Sequence, residues 1–254
     1  PGSNAPNNVG IGDNGTKGIR IYDCVYFEDG YYYVTSDTSK IADAVARVDQ
    51  LTYYFSLADA VAGIKNTPDA GDDTDKHHTI TLLKDCSGAG IFLAKRTEVK
   101  HLIDYDLTLD LNGKTYTCVG PAVGSTGTAN QAFHLEKNNR VFIKNGTITS
   151  SDVIKTLVQN YSDLTLDNVT LNGCNVYGGY TLSNNNGNIK LQNGTYIIAK
   201  DGGVAFDVYD WPDGGYADGA KVEIVTSDVV IDGKVEFAGD GMRDALENSS
   251  LTIP

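Results

Sequence analysis

Between residues 207 and 219 the chain gathers its single Trp, two Tyr and four Asp: Asp207-Val208-Tyr209-Asp210-Trp211-Pro212-Asp213-Gly214-Gly215-Tyr216-Ala217-Asp218-Gly219. Aromatic faces stack on the C–H surface of a sugar, and carboxylates accept its hydroxyl hydrogens. Tyr209, Trp211, Tyr216, Asp207, Asp210 and Asp213 are therefore the expected ligand-binding residues, unless Trp211 simply pins an oversized loop to the body. The same carboxylates would suit Ca²⁺, but the EF-hand spacing is missing, and Asp72-Asp73-Thr74-Asp75 reads as a solvated loop. His77-His78, His101 and His134 offer no His-x-x-x-His spacing, so neither a metal site nor a cofactor is expected. Asp104 and Asp106 stand at i and i+2, about 6.6 Å apart on one strand face, which overlaps the separation of an inverting carboxylate pair. Alternation produces such pairs by chance, and no catalytic residue is assigned.

The elements that must position these residues are short strands. Gly is abundant (28), Tyr reaches 15, and there are 6 Pro, one Met and one Trp, a mixture suited to strands joined by tight turns. The 33 acidic against 20 basic residues give a net charge of −13, which repels phosphate backbones and anionic lipid heads. No run of eighteen apolar residues occurs, so neither nucleic acid nor membrane insertion is expected. Residues 1–6 carry no leader pattern, as in a processed or excised chain. Cys24, Cys86, Cys118 and Cys174 lie far apart without a Cys-x-x-Cys pair, which reads as free thiols rather than a disulfide framework.

Self-similarity sets the architecture. Ile143-Lys144-Asn145-Gly146-Thr147-Ile148-Thr149 matches Leu166-Asp167-Asn168-Val169-Thr170-Leu171-Asn172 and Leu191-Gln192-Asn193-Gly194-Thr195-Tyr196-Ile197. Leu109-Asp110-Leu111-Asn112-Gly113-Lys114 is a copy with one extra residue, and Ile231-Asp232-Gly233-Lys234 a copy without the Asn. With Leu82 and Ile253 at the ends, the anchors 82, 109, 143, 166, 191, 231 and 253 are 27, 34, 23, 25, 40 and 22 residues apart. A unit of about 22–25 residues cannot bury its own inner face, so units must stack. Asn145, Asn168 and Asn193 are expected to form a hydrogen-bonded ladder; each spells Asn-x-Thr, but turn chemistry explains that spelling better than glycosylation. Extra residues at 120–132 and 201–220 are expected to leave as two loops on one side, some 14 Å apart, framing a groove.

Upstream, residues 44–55 read as a hairpin turning at Asp49-Gln50. Ser56 through Ile64 read as an amphipathic helix with Ser56 as N-cap and Leu57, Ala60, Val61 and Ile64 on one face. Two segments follow: residues 1–55, an N-terminal extension with the hairpin, and residues 56–254, a capping helix and the repeats. The C-terminus stops as a unit begins, so the natural chain is expected to continue.

Rungs such as Leu107-Thr108-Leu109-Asp110-Leu111-Asn112-Gly113-Lys114 resemble the right-handed parallel β-helices of the pectin lyase-like superfamily, and the hairpin–helix segment is similar to that of β-helix modules in surface proteins of gut bacteria. The resemblance implies an all-β, single-stranded parallel β-helix (a solenoid), extracellular or at the cell surface, monomeric or part of a longer chain. It further implies an adhesin-like, non-catalytic module whose partner is carbohydrate or a host surface protein. The alternatives are a polysaccharide-degrading enzyme and a structural spacer. Against the enzyme, the chain lacks the Asn-Thr-Asp, adjacent Asp-Asp and Gly-His-Gly constellation of the hydrolases, Asp72-Asp73 lying outside the repeats, and Arg20, Arg47, Arg96, Arg140 and Arg243 are not clustered as a lyase requires.

Overall fold

The computed structural model describes residues 24–65, 77–95, 107–125, 127–173, 177–200, 202–209 and 220–238. It is all-β, with largely parallel sheets and one α-helix among the described residues. The N-terminal strands are β1 (Cys24–Glu28), β2 (Tyr31–Thr35), β3 (Ala46–Val48) and β4 (Thr52–Tyr54), followed by helix α1 (Leu57–Lys65). Then come β5 (His78–Leu82), β6 (Cys86–Gly88), β7 (Ile91–Leu93), β8 (Leu107–Cys118), β9 (Gln131–Leu135), β10 (Arg140–Ser150), β11 (Thr156–Asn160) and β12 (Asp163–Asn172). The last are β13 (Tyr180–Asn185), β14 (Asn188–Gln192), β15 (Tyr196–Ile198), β16 (Val204–Tyr209), β17 (Lys221–Ile224), β18 (Val230–Asp232) and β19 (Lys234–Ala238).

A first sheet runs β17-β14-β12-β10-β8-β5-β3-β4-β1-β2, with β6 beside β8 and β15 and β18 beside the far arm of β12. The second runs β19-β16-β13-β11-β9-β7, all parallel. From β7 onward the chain passes back and forth between them. The core rows follow from strand alternation. Leu109, Ile143, Leu166 and Leu191 are level with one another, as are Tyr116, Ile148 and Leu171, and, from the second sheet, Phe133, Val158, Leu182 and Phe206; all are buried.

Two anchors are corrected. Ile80, not Leu82, is level with Leu109; a slip of two residues keeps the same side chains inside, so apolar pattern alone does not resolve it. Ile231 pairs with Ile197, and the partner of Leu191 is Ile224. Ile253 lies outside the described residues. The copy at Leu109 carries two extra residues rather than one: Leu111, Asn112 and Gly113 stand where β10 has Asn145 alone.

Asn145, Asn168 and Asn193 all take the left-handed conformation (φ 58, 55 and 50°) that bends the long strands into two arms, a conformation Asn tolerates better than most residues. Asn168 Nδ2 donates to Asn145 Oδ1 (3.3 Å), whereas Asn145 donates to Asp110 (3.3 Å) and Asn193 to Asp167 (3.0 Å). The column is thus one Asn–Asn link flanked by Asn–Asp links. Aspartates stand at both ends of it: Asp85 accepts the Thr115 N–H (2.8 Å), and Asp228 is held below the usual carboxylate range by the Thr226 hydroxyl and the Gly194 N–H.

The hairpin and helix form where the sequence places them. Asp49 and Gln50 both have positive φ, and Leu51 N–H closes the turn on Val48 O (2.9 Å). Ser56 Oγ accepts the Asp59 N–H (3.0 Å), which caps the start of α1, and donates to the Asp59 carboxylate (2.7 Å). Leu57, Ala60 and Val61 are buried against the sheet. The β3–β4 hairpin joins the first sheet through β5, across the expected boundary at residue 55.

The joint between hairpin and sheet is charge-assisted. His78 Nδ1 and the Thr79 N–H both donate to the Asp49 carboxylate (2.6 and 2.8 Å). Burial alone would raise the Asp49 carboxyl, but these hydrogen bonds and the nearby imidazoles outweigh it and hold it below its usual range. A carboxyl lowered on folding adds stability above the unfolded-chain value of about 3.9 and loses it as pH falls through the folded value. Asp49→Asn is expected to cost about 1 kcal/mol at neutral pH and to flatten the acid limb of urea-melt stability. An unchanged acid limb would mean the joint carries no such linkage.

Candidate functional site

The outward face of the second sheet is polar. Phe133, Leu135, Val158, Leu182, Phe206 and Val208 pack in the core, as do Ala132, Leu157 and Ala205, and alternation turns the residues that follow Phe133, Val158, Leu182 and Phe206 to the opposite face. One row reads Phe92, His134, Gln159, Ser183, Asp207, Glu236, each level with the next on adjacent strands. Two residues along, Glu136 and Tyr161 follow β9 and β11, and Asn185 and Tyr209 end β13 and β16. Neighbours in a row stand about 4.8 Å apart.

The row passes from a closed end to an open one. His134 has no exposed surface; Phe92 stacks on its ring (5.1 Å between centroids) and Tyr161 tilts against it (5.5 Å). Its Nε2 donates to Glu136 (2.6 Å), and its Nδ1 meets the Gln131 side-chain amide. Gln159 Nε2 donates to Ser183 Oγ (3.2 Å), and Ser183 Oγ donates to Asp207 Oδ2 (2.9 Å). Burial pushes the Asp207 carboxyl up; the Ser183 hydroxyl opposes that, and the Glu236 carboxylate adds to it. Burial likewise raises the Tyr161 hydroxyl, which pairs with the Asn185 side chain. At the open end Tyr209 is 36% exposed, and Lys234 forms an ion pair with Glu236. The open end therefore presents a phenol, an amide and two carboxylates in one patch, groups that hydrogen-bond hydroxyls.

Comparison with known proteins finds no matching family model, no matching curated protein and no matching solved structure.

Of the expected ligand-binding residues, Asp207 and Tyr209 lie side by side on the outward face of β16, a strand rather than the loop the sequence suggested. Asp210, Trp211, Asp213 and Tyr216 lie outside the described residues, as do Asp104, Asp106 and Cys174. The loop expected over residues 201–220 is corrected in part: residues 204–209 form strand β16, and residues 210–219 lie outside the described residues. Between β8 and β9, Val123 is bridged to Gln131. His77 contacts Thr108 (3.2 Å), and His78 contacts Asp49. Among the described residues no three His, Cys, Asp or Glu side chains gather as a metal site. Cys24, Cys86 and Cys118 are free.

Sequence reasoning missed His134, Glu136, Gln159, Tyr161, Ser183, Asn185 and Glu236. The available signal was an apolar-polar pair recurring as Phe133-His134, Val158-Gln159, Leu182-Ser183 and Phe206-Asp207, about a unit apart. Its polar member changes type at every level, so a search for identical motifs passes over it.

Proposed function

We propose that this chain is a right-handed single-stranded parallel β-helix, in the manner of the pectin lyase-like superfamily, working as a carbohydrate-binding module of a secreted or cell-surface protein. Parallel pairing of strands about one repeat apart supports the helix, and the strong right-handed bias of parallel crossovers supports its hand. The observation that carries the function is the polar and aromatic row across the second sheet, open at Asp207, Asn185 and Tyr209. An outward sheet face in a spacer needs no such aligned hydrogen-bonding row.

Glycan-array binding tests the reading. Wild type is expected to bind oligosaccharides, with Tyr209→Ala and Asn185→Ala each weakening the signal roughly tenfold, the loss of one or two stacking or hydrogen-bond contacts. Equal signals from wild type and both variants, or none from wild type, would remove the site.

Hydrolysis is a second reading favoured by one observation. Asp207 and Glu236 are level on adjacent strands, and burial, with a smaller part from the Glu236 carboxylate, raises the Asp207 carboxyl, as a general acid beside a second carboxylate requires. Release of reducing ends, abolished by Asp207→Asn and by Glu236→Gln, would favour it over binding alone.

A further inference from the structure

We propose that this face selects uncharged saccharides and rejects those bearing carboxylate or sulfate groups. The inference rests on the carbohydrate-binding reading and sharpens it, and it departs from the acidic polysaccharides on which enzymes of the resembled superfamily act.

The charge inventory of the face carries it. Among the described residues, Glu136, Asp207 and Glu236 supply three carboxylates. Against them stand His134, wholly buried with both ring nitrogens engaged, and Lys234, already paired with Glu236 on its own strand. Lys137 follows Glu136 at the closed end, and Lys155, which precedes β11, stands four residues from Gln159, about 13 Å along the strand. The described arginines, Arg47 and Arg140, belong to the first sheet. An anionic sugar needs N–H donors or a cation facing it. Acceptors predominate here instead: the Glu236 carboxylate and the Asp207 oxygen not held by Ser183. Such acceptors suit hydroxyl hydrogens, and the Asn185 amide and Tyr209 phenol add neutral groups that both donate and accept. Burial, and to a smaller degree the Glu236 carboxylate, already disfavours charge on Asp207, and a third anion would meet like charge at close range. The net charge of −13 repels polyanions at longer range.

The test is binding of the full chain to neutral gluco-, manno- and xylo-oligosaccharides, to oligogalacturonate and to sulfated oligosaccharides, in low and physiological salt. Neutral ligands are expected to bind with little salt dependence, and anionic ones at least roughly tenfold more weakly, with a gap that narrows as salt screens the carboxylates. The Asp207→Asn/Glu236→Gln double variant, checked for native melting, is expected to reduce that gap to about threefold or less. Anionic oligosaccharides that bind wild type as well as neutral ones, and lose binding in Tyr209→Ala, would overturn the selectivity while leaving the site in place. Absence of binding to every saccharide would overturn the carbohydrate reading, and the selectivity with it.

Discussion

Asn160→Asp is expected to be among the most destabilising single-atom-scale changes available in this chain, costing about 3–5 kcal/mol. Asn160 is wholly buried at the end of β11, level with Leu135 on one side and Asn184 on the other. The chain must leave the second sheet there and begin β12 within two residues, which leaves the polar groups of Ser162 facing inward. Asn160 satisfies them from both ends of its amide: Oδ1 accepts the Ser162 N–H (3.1 Å) and hydroxyl (2.7 Å), while Nδ2 donates to Ser162 O (3.0 Å) and to Asn184 Oδ1 (2.9 Å). A carboxylate has the same shape but no donor, so both Nδ2 contacts become repulsive and a charge is buried without a cation. Such a carboxyl titrates well above the unfolded value. Its neutral form is favoured on folding, so the deficit relative to wild type should be smallest below about pH 4 and grow as pH rises through the raised folded value. Asn160→Ala should cost less, about 2–3 kcal/mol, with no such pH dependence. Urea melts of the three proteins at acid and neutral pH separate these outcomes, and equal costs for the two variants at neutral pH would contradict the account.

The same corner recurs along the stack. Asn184 Nδ2 donates to Gly187 O (2.8 Å), and Asn139 Nδ2 donates to Ala94 O and Glu136 O (2.9 and 2.8 Å). A Cβ on Gly187 would collide with Asn160 Nδ2 and sit 2.6 Å from Asn184 Oδ1, so glycine there makes room for the amides. Asn160-Tyr161-Ser162 also spells a glycosylation sequon, yet its amide is spent inside the fold. Turn and corner chemistry writes that spelling, as it does at Asn145, Asn168 and Asn193.

What could be read beforehand follows from what repeats. Ile143, Leu166 and Leu191 face one core and recur in kind, so the first sheet was legible; Ser56 and the Leu57-Ala60-Val61 stripe are local, so the helix was too. The N-terminal β1–β2 hairpin was not foreseen, although its Asp29-Gly30 turn, with both residues at positive φ, is a local hairpin signal. The misplacement of Ile231 came from Asp232-Gly233-Lys234, which imitates Asn112-Gly113-Lys114 but serves the passage from β18 into β19. The candidate site was least legible. His134, Gln159, Ser183, Asp207 and Glu236 share only a position, and position on an outward face constrains polarity without constraining type.

The repeat also contains its own exception, and it predicts a coupled effect. At the place after the bending Asn the copies carry Gly146, Val169 and Gly194. Gly146 and Val169 are level with one another, yet only Val169 bears a side chain, buried in the core. The difference lies in β8, where Leu111, Asn112 and Gly113 bulge opposite Asn145, with Asn112 and Gly113 left-handed and Asn112 Nδ2 anchored on Leu82 O (3.0 Å). The bulge sets backbone where a Gly146 Cβ would go, 2.5 Å from Lys114 O and 2.5 Å from Leu111 Cβ. A collision with a carbonyl held in a ladder cannot be relieved by a rotamer change, so Gly146→Ala is expected to cost about 2–4 kcal/mol. Removing Leu111 and Gly113, so that Asn112 alone takes the left-handed bend, gives β8 the one-residue bend of β10 and should take away the obstruction. In that background Gly146→Ala should cost less than about 1 kcal/mol, a coupling that denaturant melts of the four proteins measure directly. A cost that persists after the deletion would place the need for glycine in the local backbone of β10 and not in its neighbour.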